Sequence, residues 1–388
     1  MKPRDRLPLF VFIDALGWEI LMRHPFFLEG VACERRRLRT ILGYSSACDP
    51  SIISGVMPSE HGLWSSWFYA PGGSPFRWLA PLRFLPRRFT DRARVRSLLS
   101  RTVKRLHGFT GYFQLYNVPF GRIGSFDYAE KRRIWDPGGL APTRTVFDEL
   151  SARGCPYSVH DSSDPDTVRL ARLEQRIRQR DIGFAYISLG GLDALMHRVG
   201  TRDAQVTEKV RWYDARIRAL RDLARANFGE APLYVFTDHG MHDVREAHDL
   251  QADLARLRLE EGKDFVVFLD ATMARFWFPR EGARSRVLSA LDGHPKGRWL
   301  SDDDLRREGV FFMDHRYGEA VFLMNPGVQI SPSHMGAKPN RGMHGFDPED
   351  ADSWAAISSD RSLPEGLERI AQIHSLLMSE TALVAGAD

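Results

Sequence analysis

Three apolar runs in this chain each stop abruptly at a carboxylate or a glycine, and that pattern narrows the possible folds more than any other feature. Leu9-Phe10-Val11-Phe12-Ile13 ends at Asp14, Phe184-Ala185-Tyr186-Ile187-Ser188-Leu189 ends at Gly190-Gly191, and Leu233-Tyr234-Val235-Phe236-Thr237 ends at Asp238. Runs this short with no polar alternation read as strands buried on both faces, as in a parallel sheet. Helix-period patterns lie between them, above all Ala204 to Asn227, with Val206, Val210, Tyr213, Ile217, Leu220 and Leu223 on one face. Strands alternating with helices predict an α/β fold with a mostly parallel central sheet flanked by helices. Its ligands belong at the carboxyl ends of the strands.

Two stretches break the alternation. Between Phe76 and Leu106, ten Arg or Lys residues meet one acid, Asp91, interleaved with apolar residues such as Trp78, Phe84, Leu85 and Phe89. This predicts a basic, helical insertion over 64–139. It reads either as a solvated cap on the site or as a surface that meets anionic lipid or a polyanionic substrate. Within it, Phe113 to Phe120 resembles a strand and loop returning to the main body. The second stretch, 265–325, reads as a small, β-rich α+β subdomain. Its expected strands are Val266 to Leu269, Ala274 to Phe278, Val310 to Met313 and Ala320 to Leu323. The catalytic core is then 1–63, 140–264 and 326–388, with a last helix expected from Glu365 to Met378.

A net charge of +4 implies no specific nucleic-acid binding. The three cysteines, Cys33, Cys48 and Cys155, show no CxxC or Cys/His spacing and predict free thiols in a reducing compartment. The first apolar run is only five residues long, too short for a secretory signal or a membrane span. A cytoplasmic location is expected, with peripheral membrane contact through the basic insertion as an option.

The chemistry gathers near strand ends. Gly43-Tyr44-Ser45-Ser46-Ala47-Cys48-Asp49 opens a short helix closed by Gly55, with its hydroxyls at or just before the first turn. Pro50 means that the helix either kinks there or begins at Asp49 as its cap. A helix start offers free N–H groups and positive dipole, which suit a phosphate or an alkoxide. Asp14, Asp193 with His197, Asp238 with His239, and His344 all end apolar strands or lie beside glycine. Three carboxylates crowded at one sheet edge repel unless cations sit among them. Three acids and three imidazoles make two sites of three protein ligands each, open to water, substrate and a hydroxyl nucleophile.

That order of residues resembles the alkaline phosphatase superfamily, most closely its nucleotide pyrophosphatase/phosphodiesterase branch. The matching motifs are Asp14, Ser45 ten residues before Gly55, Pro58-Ser59-Glu60-His61-Gly62, Asp193-x-x-x-His197, Asp238-His239-Gly240-Met241 and His344-Gly345-Phe346-Asp347. The resemblance implies two divalent metal ions, zinc by preference with manganese or iron open. One would be held by Asp14, Asp238, His239 and Ser45, the other by Asp193, His197 and His344. It further implies a phosphohydrolase acting through a covalent phospho-serine at Ser45 on a phosphodiester or pyrophosphate bond of a small molecule such as a nucleotide, while the basic aromatic stretch hints at a lipid-linked substrate. A phosphomonoesterase, or a transferase to an alcohol, would use the same site. Ser46 and, more distantly, Ser51 rival Ser45 as nucleophile. Ser45-Ser46-Ala47-Cys48 stands where family phosphodiesterases commonly carry Thr-Phe-Pro-Asn, so no amide is visible there to contact the phosphate.

Overall fold

The computed structural model describes residues 5–161 and 164–385. Its two larger sheets use ten strands: β1 (Leu9–Ile13), β2 (Glu34–Leu38), β3 (Tyr157–His160), β4 (Phe184–Leu189), β5 (Leu233–Phe236), β6 (Val266–Leu269), β7 (Met273–Trp277), β8 (Gly297–Leu300), β9 (Ala320–Met324) and β10 (Ala355–Ser359). The helices that matter here are α1 (Ser45–Ser54), α2 (Ala93–His107), α3 (Asp166–Gln179), α4 (Gly191–Val199), α5 (Ala204–Phe228) and α6 (Ile373–Ala385).

The main sheet runs β2-β10-β5-β1-β4-β3. β1 pairs in parallel with β4 and β5, and β3 with β4, while β10 lies antiparallel to both β5 and β2. The two-residue period of β1 sorts its side chains between two cores. Phe10 and Phe12 pack in the layer that holds Ile52 and Ile53 of α1 and Leu376 and Leu377 of α6. Leu9, Val11 and Ile13 pack in the opposite layer with Leu170 of α3, Met196 of α4 and Val210 of α5. Each of these buried side chains contributes roughly 1.5–3 kcal/mol. Helices therefore cover both faces, and the polar ends of the strands are what remain for chemistry.

The second sheet is antiparallel, in the order β6-β7-β9-β8. Val310 to Met313 is not one of its strands. Val310 N–H donates to the Leu305 carbonyl (2.9 Å), and Val310 and Phe312 turn their side chains into the core. Gly297–Leu300 takes the edge position instead. Phe113 to Phe120 is not a strand either. Its backbone is satisfied elsewhere, with Leu115 N–H on Ser100 Oγ (3.0 Å) and Asn117 N–H on the His334 carbonyl (2.7 Å). The insertion's own pairing is Trp67–Tyr69 against Phe126–Tyr128. The last helix starts later than expected, because the backbone of Glu368 and Ile370 exchanges hydrogen bonds with Arg39 (2.7 and 3.1 Å) rather than with a helical turn. Trp67, Phe76, Phe113 and Tyr128 of the insertion share one apolar core with Phe268 of β6 and Trp277 of β7.

Candidate active site

Three neighbouring strands of the main sheet end together. β1 stops at Asp14, β4 leads through Gly190 into α4, which carries Asp193 and His197 one turn apart, and β5 leads through Thr237 to Asp238 and His239. His344 follows Gly342–Met343, a short segment paired antiparallel with His242–Asp243. The close fit of these loops explains a glycine. A Cβ on Gly240 would lie 2.0 Å from the Asp352 carbonyl oxygen, and one on Gly17 would lie 2.3 Å from the Gly240 Cα.

The six side chains form two triads. In the first, His239 Nε2 lies 3.0 Å from Asp238 Oδ2 and 3.6 Å from Asp14 Oδ1. In the second, Asp193 Oδ1 lies 3.2 Å from His197 Nε2 and 3.7 Å from His344 Nε2. The donor atoms of each triad lie within 4.8 Å of one another. The rings of His239 and His344 stack across the two groups with centroids 3.7 Å apart.

The tautomers follow from the second ring nitrogens. His239 Nδ1–H donates to the Gly240 carbonyl (2.9 Å) and His197 Nδ1–H to the Gly342 carbonyl (2.8 Å), which turns both Nε2 atoms toward the carboxylates. Burial lowers the pKa of both rings, but Asp238 and Asp193 outweigh it and raise His239 and His197 above the ordinary value. Asp14 Oδ1, Asp193 Oδ1, Asp238 Oδ2 and His344 Nδ1 are shut off from solvent with no hydrogen-bond partner. Buried polar atoms are seldom left so, and the mixed Asp/His donor set suits divalent cations.

The electrostatics agree. Burial, then the charges of Asp238 and Asp193, push the Asp14 carboxyl well above its ordinary value. Burial, and the neighbouring His239 and His197, hold His344 well below its own, as a neutral imidazole. Positive charge placed between the triads would relieve the first strain, and the second leaves a lone pair ready for it.

Ser45 opens α1 as its first residue, capped by Tyr44 in extended conformation, and its Oγ lies 3.1 Å from His239 Nε2. The helix does not begin at Asp49. Pro50 lies inside it, where its missing N–H costs only the bond to the Ser46 carbonyl in the first turn. Ser46 borders the same cavity and donates to the Trp64 carbonyl (3.4 Å). Ser51 is buried one turn further on, between the Ala47 carbonyl and His61 Nε2, away from the triads.

A cavity of about 450 Å³ opens over Ser45, Asp14 and the triad of Asp193, His197 and His344, with Asp238 and His239 buried behind it. Part of its wall could not be foreseen from the sequence. Tyr112, Tyr116 and Glu130 reach it from the insertion, joined by Trp135 and Asn340. The two tyrosine hydroxyls lie 3.1 Å apart. Asp49 also lines it, and only the i, i+4 spacing from Ser45 could have signalled that.

Comparison with curated protein sequences gave no match. Among solved structures, murine ectonucleotide pyrophosphatase/phosphodiesterase 5 superposes with a TM-score of 0.69 at 14% identity, covering 97% of this chain and 95% of that one. An inactive form of the murine protein in complex with AMP gives 0.68 at 14% identity, over 97% and 94% of the two chains. Phosphonoacetate hydrolase from Sinorhizobium meliloti 1021, in complex with phosphonoacetate, gives 0.65 at 13% identity, over 98% and 96%. Likenesses at such identities show a common fold. The sequence goes further, because the family model for type I phosphodiesterase / nucleotide pyrophosphatase matches residues 9–347, from the first residue of β1 to three residues past His344. A match that takes in both triads and Ser45 makes this chain a member of that family, a hydrolase acting on phosphoric ester bonds.

Proposed function

We propose that the enzyme cleaves a phosphodiester or pyrophosphate bond of a nucleotide or other small phosphate ester, with Ser45 as nucleophile at a site for two divalent cations. The supporting observation is the pair of Asp/His triads in which Asp14 Oδ1, Asp193 Oδ1 and Asp238 Oδ2 are buried without a hydrogen-bond partner, with Ser45 Oγ 3.1 Å from His239 Nε2 of the first triad. Asp14, Asp238 and His239 would hold one cation and Asp193, His197 and His344 the other, with zinc the best match to these donors. When bound, the cations supply Lewis-acid stabilisation of the negative charge that develops on oxygen.

The chain's own groups do the rest. Ser45 Oγ forms a bond to phosphorus as the bond to the leaving oxygen breaks, and the serine proton goes to solvent. The first turn of α1 presents free N–H groups to the charge that builds there. Gly240 and Gly342 carbonyls fix the rings of His239 and His197, so neither imidazole must reorient. Water then adds to the phospho-serine, and the Ser45–phosphorus bond breaks to release the second product and restore the hydroxyl.

Turnover of a chromogenic phosphate diester and of the matching monoester, with zinc and then manganese, tests this in wild type and Ser45→Ala. The expected result is metal-dependent diester cleavage that falls by about 10³-fold or more in Ser45→Ala. Wild-type turnover in Ser45→Ala would reject Ser45 as nucleophile. Monoester preference, or product that appears only with an added alcohol, would reassign the enzyme to a phosphatase or a transferase.

A further inference from the structure

We propose that the insertion carries a membrane-docking face whose partner is a bilayer surface containing anionic lipid. Eleven large hydrophobic side chains are exposed among the described residues, and six of them fall between Trp78 and Leu106. Phe84 is 78% exposed, Leu106 67% and Leu98 59%, with Phe89, Trp78 and Leu85 between 50% and 43%. Such a concentration within one short stretch of three consecutive helical segments is unlike the scattered exposed apolar residues of an ordinary surface.

The exposed charges of the same stretch have one sign. α2 buries Arg96, Ser100 and Val103 and presents Arg94, Leu98, Arg101 and Arg105 on the opposite stripe, at i, i+4, i+7 and i+11. Leu98 thus sits among three exposed guanidinium groups. Ahead of α2, Arg77, Arg83, Arg88 and Arg92 are exposed as well. The guanidinium of Arg83 lies 4.7 Å from the centre of the Phe84 ring, and that of Arg92 lies 6.0 Å from Phe89. The single acid of the stretch, Asp91, is engaged by buried Arg96 at 2.7 Å.

Only one class of partner satisfies both halves of this face. A nucleic acid or an acidic protein would pair the arginines but leave Phe84, Leu98 and Leu106 nothing apolar to enter. A dry apolar protein surface would strand seven exposed arginines. At a bilayer interface, aromatic and leucine side chains enter the acyl boundary while guanidinium groups stay at the depth of anionic headgroups. No helix among the described residues is long and apolar enough to cross a membrane, so the contact is peripheral. The same insertion also supplies Tyr112, Tyr116 and Glu130 to the cavity wall.

The test is co-sedimentation of the full chain with vesicles of phosphatidylcholine alone and of phosphatidylcholine mixed with phosphatidylserine, at low and high salt. The face predicts binding to the mixed vesicles that weakens with salt. It also predicts a loss of about 10-fold in two separate variants, Arg88→Glu/Arg94→Glu/Arg101→Glu and Phe84→Ser/Leu98→Ser. All five positions are exposed, and unchanged turnover of a soluble chromogenic diester confirms that each variant is folded. No binding to mixed vesicles, or binding that either variant leaves intact, overturns the proposal. Binding to heparin that falls with the arginine variant while vesicle binding is absent would reassign the face to a soluble polyanion. Because vesicle binding is read without catalysis, its failure is distinct from failure of the Ser45 mechanism.

Discussion

His61 shows what a single buried ring can do to the whole chain's acid stability. Leu63 N–H donates to its Nδ1 (3.2 Å), so Nε2–H donates to Ser51 Oγ (2.9 Å), whose hydroxyl continues to the Ala47 carbonyl (3.0 Å). Every polar atom is satisfied by the neutral imidazole, and burial pushes its pKa down from 6.5 to about 3. The unfolded chain therefore binds a proton first, and stability present above pH 6.5 is lost as pH falls toward 3, by about 1.4 kcal/mol per unit. Urea unfolding at pH 7 and pH 5 should show a steeper decline in wild type than in His61→Gln; equal declines would remove His61 from the account. The triad residues could be read in sequence because Asp14 and Asp238 with His239 follow apolar strands, Asp193 and His197 share a short helix opened by glycine after another, and His344 adjoins glycine. Tyr112, Tyr116 and Glu130 could not, since nothing periodic surrounds them and only the folded insertion brings them to the cavity.

Among the elements, β7 carries the most exacting polar contact. Arg275 is fully buried and donates from Nε to Asp270 Oδ2 (2.8 Å), from Nη1 to the Trp67 carbonyl (2.8 Å) and from Nη2 to Ser65 Oγ (3.0 Å). It thereby ties the second sheet to the start of the insertion. Arg275→Met should cost about 3–5 kcal/mol by leaving Asp270 buried and uncompensated, and adding Asp270→Leu should restore much of that. Thermal unfolding of the single and double variants checks this; a double variant no more stable than the single would contradict it. The three central parallel strands, β1, β4 and β5, were legible because they are almost wholly apolar and buried. Element ends and edges were less so. Val310 to Met313 has a strand's composition, yet its backbone is bonded to a preceding helical turn, whereas Gly297–Leu300 pairs as an edge strand with only weak apolar signal.

At the scale of the whole molecule, the insertion places a titratable carboxyl, Glu130, in the cavity wall. Burial raises the carboxyl of Glu130 to about 7, against 4.5 for an ordinary glutamate, with the Tyr112 N–H bond (3.0 Å) opposing. Below that pH the wall is neutral there, and above it a negative charge faces an anionic substrate. KM for a phosphate diester should thus rise as pH passes 7 in wild type and stay flatter in Glu130→Gln. Identical KM profiles would show that Glu130 does not face the substrate. β10 lies between β5 and β2. During synthesis, β5 must wait more than a hundred residues for that neighbour, and Asp14 and Ser45 wait for His344. At roughly 5–20 residues per second, the nascent chain spends on the order of tens of seconds with a bare, apolar strand edge and a half-assembled site. Ribosome-bound chains that stop short of residue 355 should accordingly be inactive and should recruit holdase chaperones until that last strand emerges.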